Sequence, residues 1–189
     1  QIRTRGHIQL EGLELRLAAV DTEEDQHLIH LDGGSINAKR CHFIVNPAGC
    51  CLVADSASQV VLTDCQLNAG AGCAIELNSD KTAKLRFEKC NFTGDVNFQI
   101  DVSERCELEL QHCTMIAESR VLELFGDEDE RNILLVVTAT NSSFKSRGDL
   151  IAFEIDEDEY SDLSSPEVEQ RLKWHGTRNK YTGPFATPE

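Results

Sequence analysis

Several things are scarce in this chain, and each scarcity closes a route. Basic residues are outnumbered, 18 Lys and Arg against 33 Asp and Glu, leaving a net charge of −15. A nucleic-acid binder gains affinity by displacing counterions from phosphates with basic surface, so nucleic acid is excluded as a partner. An anionic membrane surface is disfavoured for the same reason, whereas a cation, a basic protein or plain solubility suits such a charge. No run of 18 apolar residues occurs, so no membrane insertion by a helix is expected, and no signal peptide pattern is present. The eight cysteines include no C-x-x-C pair, which argues against a zinc site. A Gly-rich loop, H-R-D and D-F-G are all missing, so nothing of a kinase is encoded here. Finally, no stretch repeats its apolar residues at the helical period of 3.6.

What is present is a repeat. The pattern apolar-x-apolar followed by Asp or Asn reads Ile29-His30-Leu31-Asp32, Leu52-Val53-Ala54-Asp55, Ile75-Glu76-Leu77-Asn78, Phe98-Gln99-Ile100-Asp101 and Phe153-Glu154-Ile155-Asp156. Ile8-Gln9-Leu10-Glu11 reads as an earlier copy and Leu122-Glu123-Leu124-Phe125 as one without the closing acid. Between the copies runs apolar-x-apolar-x-x-small-x-apolar. It appears as Leu13, Leu15, Ala18, Val20; Ile36, Ala38, Cys41, Phe43; Val60, Leu62, Cys65, Leu67; Leu85, Phe87, Cys90, Phe92; Leu108, Leu110, Cys113, Met115; and Leu135 (with Val137), Ala139, Ser142, Phe144. Each half alternates with period two, the signature of a strand with one face inward. The extra x-x step reads as a two-residue corner after which a new strand restarts.

Each unit of roughly 23 residues therefore carries three short strands, none able to bury a face alone, and such units stabilise one another only by stacking. Leucine-rich and ankyrin-like solenoids need a helix per unit, which leaves a parallel β-helix. On these residues the chain resembles the right-handed parallel β-helix superfamily, the pectate-lyase-like fold. That resemblance implies an all-β, single-stranded solenoid, here of about six to seven coils. Residues 1–182 are expected to form one domain and 183–189 a tail. Gln1 at the start and the pattern opening at Ile8 suggest a domain cut from a longer chain. Ser165-Pro166-Glu167 carries an N-cap followed by Pro at the first helical position, predicting a short helix over about 166–171. The ending Trp174-x-Gly176-x-x-Asn179-x-Tyr181 resembles the final coil of β-helix domains in large planctomycete-type bacterial proteins, some of which carry Ser/Thr kinase domains.

Three groups of residues could carry chemistry. Cys41, Cys65, Cys90 and Cys113 fall at the small inward position of successive coils and read as a column of free, buried thiols, equivalent to Ala18 above and Ser142 below. In-register parallel strands hold their Cβ atoms about 4.8 Å apart, outside the roughly 3.5–4.5 Å that a disulfide wants. Cys50 and Cys73 repeat the idea two residues before Leu52 and Ile75, and Cys106 stands outside both columns. The second group is the outward face of the first strand, His30, Glu76, Gln99, Glu123 and Glu154, with Asp101 beside it. In the resembled lyases and hydrolases a saccharide cleft runs over this face, so these six are the ligand-face candidates. Glu123 and Glu154, if one coil apart, would stand near the roughly 5 Å of a retaining glycosidase pair. Gln99, pointing outward, is expected to tolerate a charge. The third group is the strand-end column Asp32, Asp55, Asn78 and Asp101, read as turn caps accepting backbone N–H groups. The acidic turns holding Asp127, Asp129, Asp156 and Asp158 are candidates for calcium, the one cofactor considered.

The reading that follows is a non-catalytic binding or scaffold module for a saccharide or protein partner along the first-strand face. The alternative is a carbohydrate-active enzyme, a lyase or hydrolase, using the acids on that face. A lyase would also need an Arg or Lys there, and the column supplies none. As for compartment, the resemblance allows an extracytoplasmic domain, while eight unpaired cysteines suit a reducing one.

Overall fold

Three corners per coil bend the chain of this protein, and the best marked is the x-x step. In the computed structural model, which describes residues 1–18, 26–102, 104–126, 135–155 and 172–183, the second residue of that step is left-handed in every coil. Gly12, Arg40, Asp64, Lys89, His112, Asn141 and Arg178 have φ between 51° and 65°. The backbone N–H of each of the first six is spent on the next coil: Gly12 donates to Lys39 O at 3.0 Å, Arg40 to Thr63 O at 3.0 Å, Asp64 to Glu88 O at 2.9 Å, Lys89 to Gln111 O at 2.8 Å, and His112 and Asn141 to Thr140 O and Thr177 O at 3.0 Å. A non-glycine residue in this conformation costs about 1–2 kcal/mol. The coil-to-coil bond and the burial on either side of the corner offset that cost.

Seventeen strands among the described residues join one continuous parallel sheet wound on itself. Some pass through a corner unbroken, as His27–Lys39, Cys50–Thr63, Asn91–Val102 and Thr114–Gly126 do. The expected columns form. Leu31, Ala54, Leu77 and Ile100 are register neighbours, and all four are fully buried. The four-cysteine column forms: Cys41, Cys65, Cys90 and Cys113 are 0–1 % exposed, and Ser142 below them accepts from the Cys113 backbone N–H and donates to Thr140 O in its own coil. At mid-stack the interior is plugged by Phe87, Phe92 and Phe98, one from each strand of a coil, with ring centroids 5.0–5.6 Å apart. Full burial of each such side chain contributes about 1.5–3 kcal/mol.

The ends depart from the expected register. Ile8 and Leu10 pair with Ile36 and Ala38, and Leu15 with Phe43. His7–Glu11 is thus a second strand, not a copy of the first, and the true first-strand copy is Ile2–Thr4, paired with Ile29, His30 and Leu31. Leu13, not Ala18, tops the cysteine column, because Gly12 takes the corner; Ala18 pairs with Asn46 and is exposed. With one supposed coil opening reassigned, the regular stack makes about five turns between partial rungs, slightly fewer than six to seven. At the other end Trp174, Gly176 and Tyr181 pair with Val137, Ala139 and Phe144, so this segment adds the last described rung. Asn179 caps the column: Ser142 N–H donates to its Oδ1 at 2.9 Å, while its Nδ2 donates to Ala139 O at 2.9 Å. The expected helix over 166–171 lies outside the described residues. Among the described residues no helix is long and apolar enough to cross a membrane.

Candidate functional site

A second corner lies just before each first strand, and it decides what reaches the outer face. Two consecutive residues point inward there: Leu28 and Ile29, Cys51 and Leu52, Ala74 and Ile75, Asn97 and Phe98, Val121 and Leu122 are all buried in or against the core. The residue before each pair is therefore turned out beside the first-strand face. Each rung then offers three outward positions: His27, His30, Asp32; Cys50, Val53, Asp55; Cys73, Glu76, Asn78; Val96, Gln99, Asp101; and Arg120, Glu123, Phe125. The register stacks them in that order.

Polar residues on this face are tied to one another. His30 donates from Nε2 to Asp55 Oδ2 at 2.5 Å. The carboxylate can only accept, which leaves Nδ1 as the free ring position, and that nitrogen is buried without a hydrogen-bond partner. The ring also meets His27 edge-on, with centroids 4.8 Å apart. Asn78 Nδ2 donates both to Asp55 Oδ1 at 3.2 Å and to Glu76 Oε1 at 2.9 Å. Two rungs further along, Gln99 Nε2 donates to Glu123 Oε2 at 2.8 Å while Arg120 holds Glu123 Oε1. Glu123 is only 5 % exposed, and removing either partner would strand a buried charge. At the first rungs Asp32 accepts from Arg5 Nε at 2.8 Å, with Arg3 at 3.6 Å. The Arg5 hydrogen bond, reinforced by the charges of Arg5, Arg3 and His30, holds the Asp32 carboxyl below the usual carboxylate range.

Several expectations change here. Among the described residues, Asp32 and Asp55 accept from side chains of neighbouring rungs, a role the turn-cap reading did not include. Glu154 does not stand over Glu123. Ala152 pairs with Glu123, and Glu154 pairs with Phe125 two residues along. Ile151, not Phe153, therefore opens that strand, and Glu154 is offset from Glu123 by two residues across adjacent rungs. Gln99 is no neutral spot for a charge either, since a carboxylate there would face Glu123. Asp101 is exposed in its expected column. Arg120 supplies the basic residue that the column seemed to lack. Its signal was the spacing of three to Glu123 across two apolar residues, which becomes a shared face only once the corner is known. The calcium candidates Asp127, Asp129, Asp156 and Asp158 lie outside the described residues.

The cysteines divide into two kinds. Cys41, Cys65, Cys90, Cys113, Cys51 and Cys106 are core residues; Cys106 sits between Ala83 and Leu135 in the second-strand column. Burial pushes Cys106 up to about 12 and raises Cys51 as well. Cys90 is raised by its contacts with Cys113 and Cys65 and then by burial. The contact with Cys90 lowers Cys65 and Cys113, and all three thiols donate to backbone carbonyls. Cys50 and Cys73, expected in the core, instead face outward in a small separate cluster with Val53 and Val96. All eight are free thiols. Among the described residues no three His, Cys, Asp or Glu side chains are arranged to hold a metal ion.

The family described as a right-handed beta helix region matches residues 19–115, just over half of the chain. The chain belongs to that family. Searches of curated proteins and of solved structures each found no match. For this β-helix, membership establishes the wound parallel sheet and its hand. Function has to be argued from the face itself.

Proposed function

We propose that this β-helix is a non-catalytic binding and scaffold module, presenting its first-strand face to an extended saccharide or protein segment. The observation that supports this reading is the mutual pairing along the face. Asp55 is engaged by His30 and Asn78, Glu76 by Asn78, and Glu123 by Gln99 and Arg120. A general acid or base must be placed to exchange a proton with its substrate, whereas these groups are committed to fixing one another. Such a ladder suits display: acceptors and amides recur at the rung spacing of about 4.8 Å, a rigid row against which a repeating ligand can lie. The parent protein, on the strength of the resemblance at Trp174 to Tyr181, would be a larger bacterial one, with this domain spanning residues 1–182.

The enzyme reading has one observation of its own, the His30–Asp55 pair close to Glu76, together with Arg120 beside Glu123. One experiment separates the two. A panel of neutral and uronic-acid polysaccharides and of cationic proteins is tested by calorimetry for binding and by reducing-end and unsaturated-product assays for cleavage. Binding without product, weakened by Asp101→Asn and Glu76→Gln, is the expected result. Product release that disappears in Asp55→Asn or Arg120→Gln would replace the module by an enzyme.

A further inference from the structure

We propose that Cys50 and Cys73 form a two-coordinate site for a monovalent d10 cation, copper(I) above all. The two thiols stand one rung apart in one outward column: each lies two residues before a member of the paired Leu52 and Ile75, with His27 beyond Cys50 and Val96 beyond Cys73. They are 6 % and 7 % exposed and lie with Val53 and Val96 in a cluster separate from the solenoid core. Each donates its proton to a carbonyl of its own strand, Cys50 to Leu52 O at 3.3 Å and Cys73 to Ile75 O at 3.0 Å. Both side chains therefore lean the same way along their strands.

Rung spacing decides what such a pair can do. Strands about 4.8 Å apart hold Cβ atoms beyond the roughly 3.5–4.5 Å of a relaxed disulfide. Two metal–thiolate bonds of about 2.3 Å placed end to end span about 4.6 Å, which the column offers without moving the backbone. A tetrahedral zinc ion needs further ligands, and no described trio of ligating side chains exists. Digonal coordination needs only two, and soft thiolates favour copper(I). The valine walls keep water off the ion. Binding exchanges two S–H protons for two S–metal bonds and releases both protons to solvent, with no change of oxidation state, so uptake strengthens as pH rises.

The test is anaerobic competition with a coloured copper(I) chelator, using the folded chain and no denaturant. Wild type should withdraw one equivalent, while Cys50→Ser and Cys73→Ser each withdraw none and Cys90→Ser, altered only in the core, still withdraws one. Unfolding would expose all the thiols and raise uptake, so loss in the two outward variants cannot come from misfolding. Sulfur-only, two-neighbour coordination in X-ray absorption would agree. No withdrawal by wild type, or equal withdrawal by wild type and both outward variants, would overturn the proposal.

Discussion

Replacing one isoleucine with aspartate at two positions tests the stacking directly. Ile100 is fully buried between Leu77 and Leu124 in the first-strand column, whereas Ile116 faces outward and is 40 % exposed. The chemistry is the same at both sites, so only the facing differs. At Ile100 the lost apolar contacts and the space left behind cost about 2–5 kcal/mol. Aspartate then adds a polar group with no partner in the interior, about 1–3 kcal/mol even if it enters as the neutral acid. The sum, about 3–8 kcal/mol, is comparable with the entire stability of an ordinary domain at about 5–15 kcal/mol. At roughly 2–4 °C per kcal/mol for a chain of this size, Ile100→Asp should lower the melting temperature by about 6–32 °C or abolish the folded state. At Ile116 the new carboxylate stays in water with Lys145 one rung away, and only strand propensity is lost, less than about 1 kcal/mol. Circular dichroism melts of the two variants measure the difference. Equal losses would mean that the inward and outward assignments are wrong.

Three further outcomes follow from the geometry. Reagent counting of thiols in native buffer should miss Cys41, Cys65, Cys90 and Cys113, all 0–1 % exposed, and denaturant should reveal all eight; a native count of eight would contradict their burial. The Asp32 carboxyl, held down first by the Arg5 hydrogen bond, contributes to stability above the ordinary carboxylate range, and that contribution disappears as pH falls through its lowered folded value. Carboxyl-detected NMR should show Asp32 titrating low in the wild type and moving up in Arg5→Gln. Asn179→Ala should remove the cap on Ser142 N–H and Ala139 O, at about 1–3 kcal/mol for the groups left unpaired. Hydrogen exchange should then quicken in Lys180–Thr182 before it changes in the central rungs.

Much of the fold was legible because burial in a solenoid repeats. Any column of four equivalent residues, such as Leu31, Ala54, Leu77 and Ile100, reports the same environment four times, and the period survives small changes in turn length. The end rungs gave less. Leu13 is a large residue at a position held elsewhere by cysteine, and Ile2-Arg3-Thr4 has a polar third member, so only the corner at Gly12 reveals the true register. The candidate site was harder to read for a different reason. Its ties run across rungs, from His30 to Asp55 and from Gln99 to Glu123, and whether such pairs meet depends on a register that one miscounted turn shifts. Arg120 and the outward setting of Cys50 and Cys73 follow from two adjacent inward residues, a break in alternation that period-two reading passes over. The corner conformation did leave a trace: Arg40, Asp64, Lys89, His112, Asn141 and Arg178 include no β-branched residue, as left-handed backbone requires.

Those corners make the protein divisible. From Arg40 to Asn141 each is followed at a fixed distance by the small inward residue and then by the apolar residue of the third strand, so variation in coil length is taken up elsewhere. The interval from one corner to the next is therefore a cassette with matching ends. Removing residues 64–88 would join Thr63 to Lys89, setting one corner residue in place of another, Cys90 where Cys65 stood and Phe92 where Leu67 stood. The shortened chain could close with one rung fewer and every column intact. A lineage or an engineer can lengthen and shorten such a stack by whole rungs, and so fit the span of its outer face to the length of what it holds, while the interior is never redesigned.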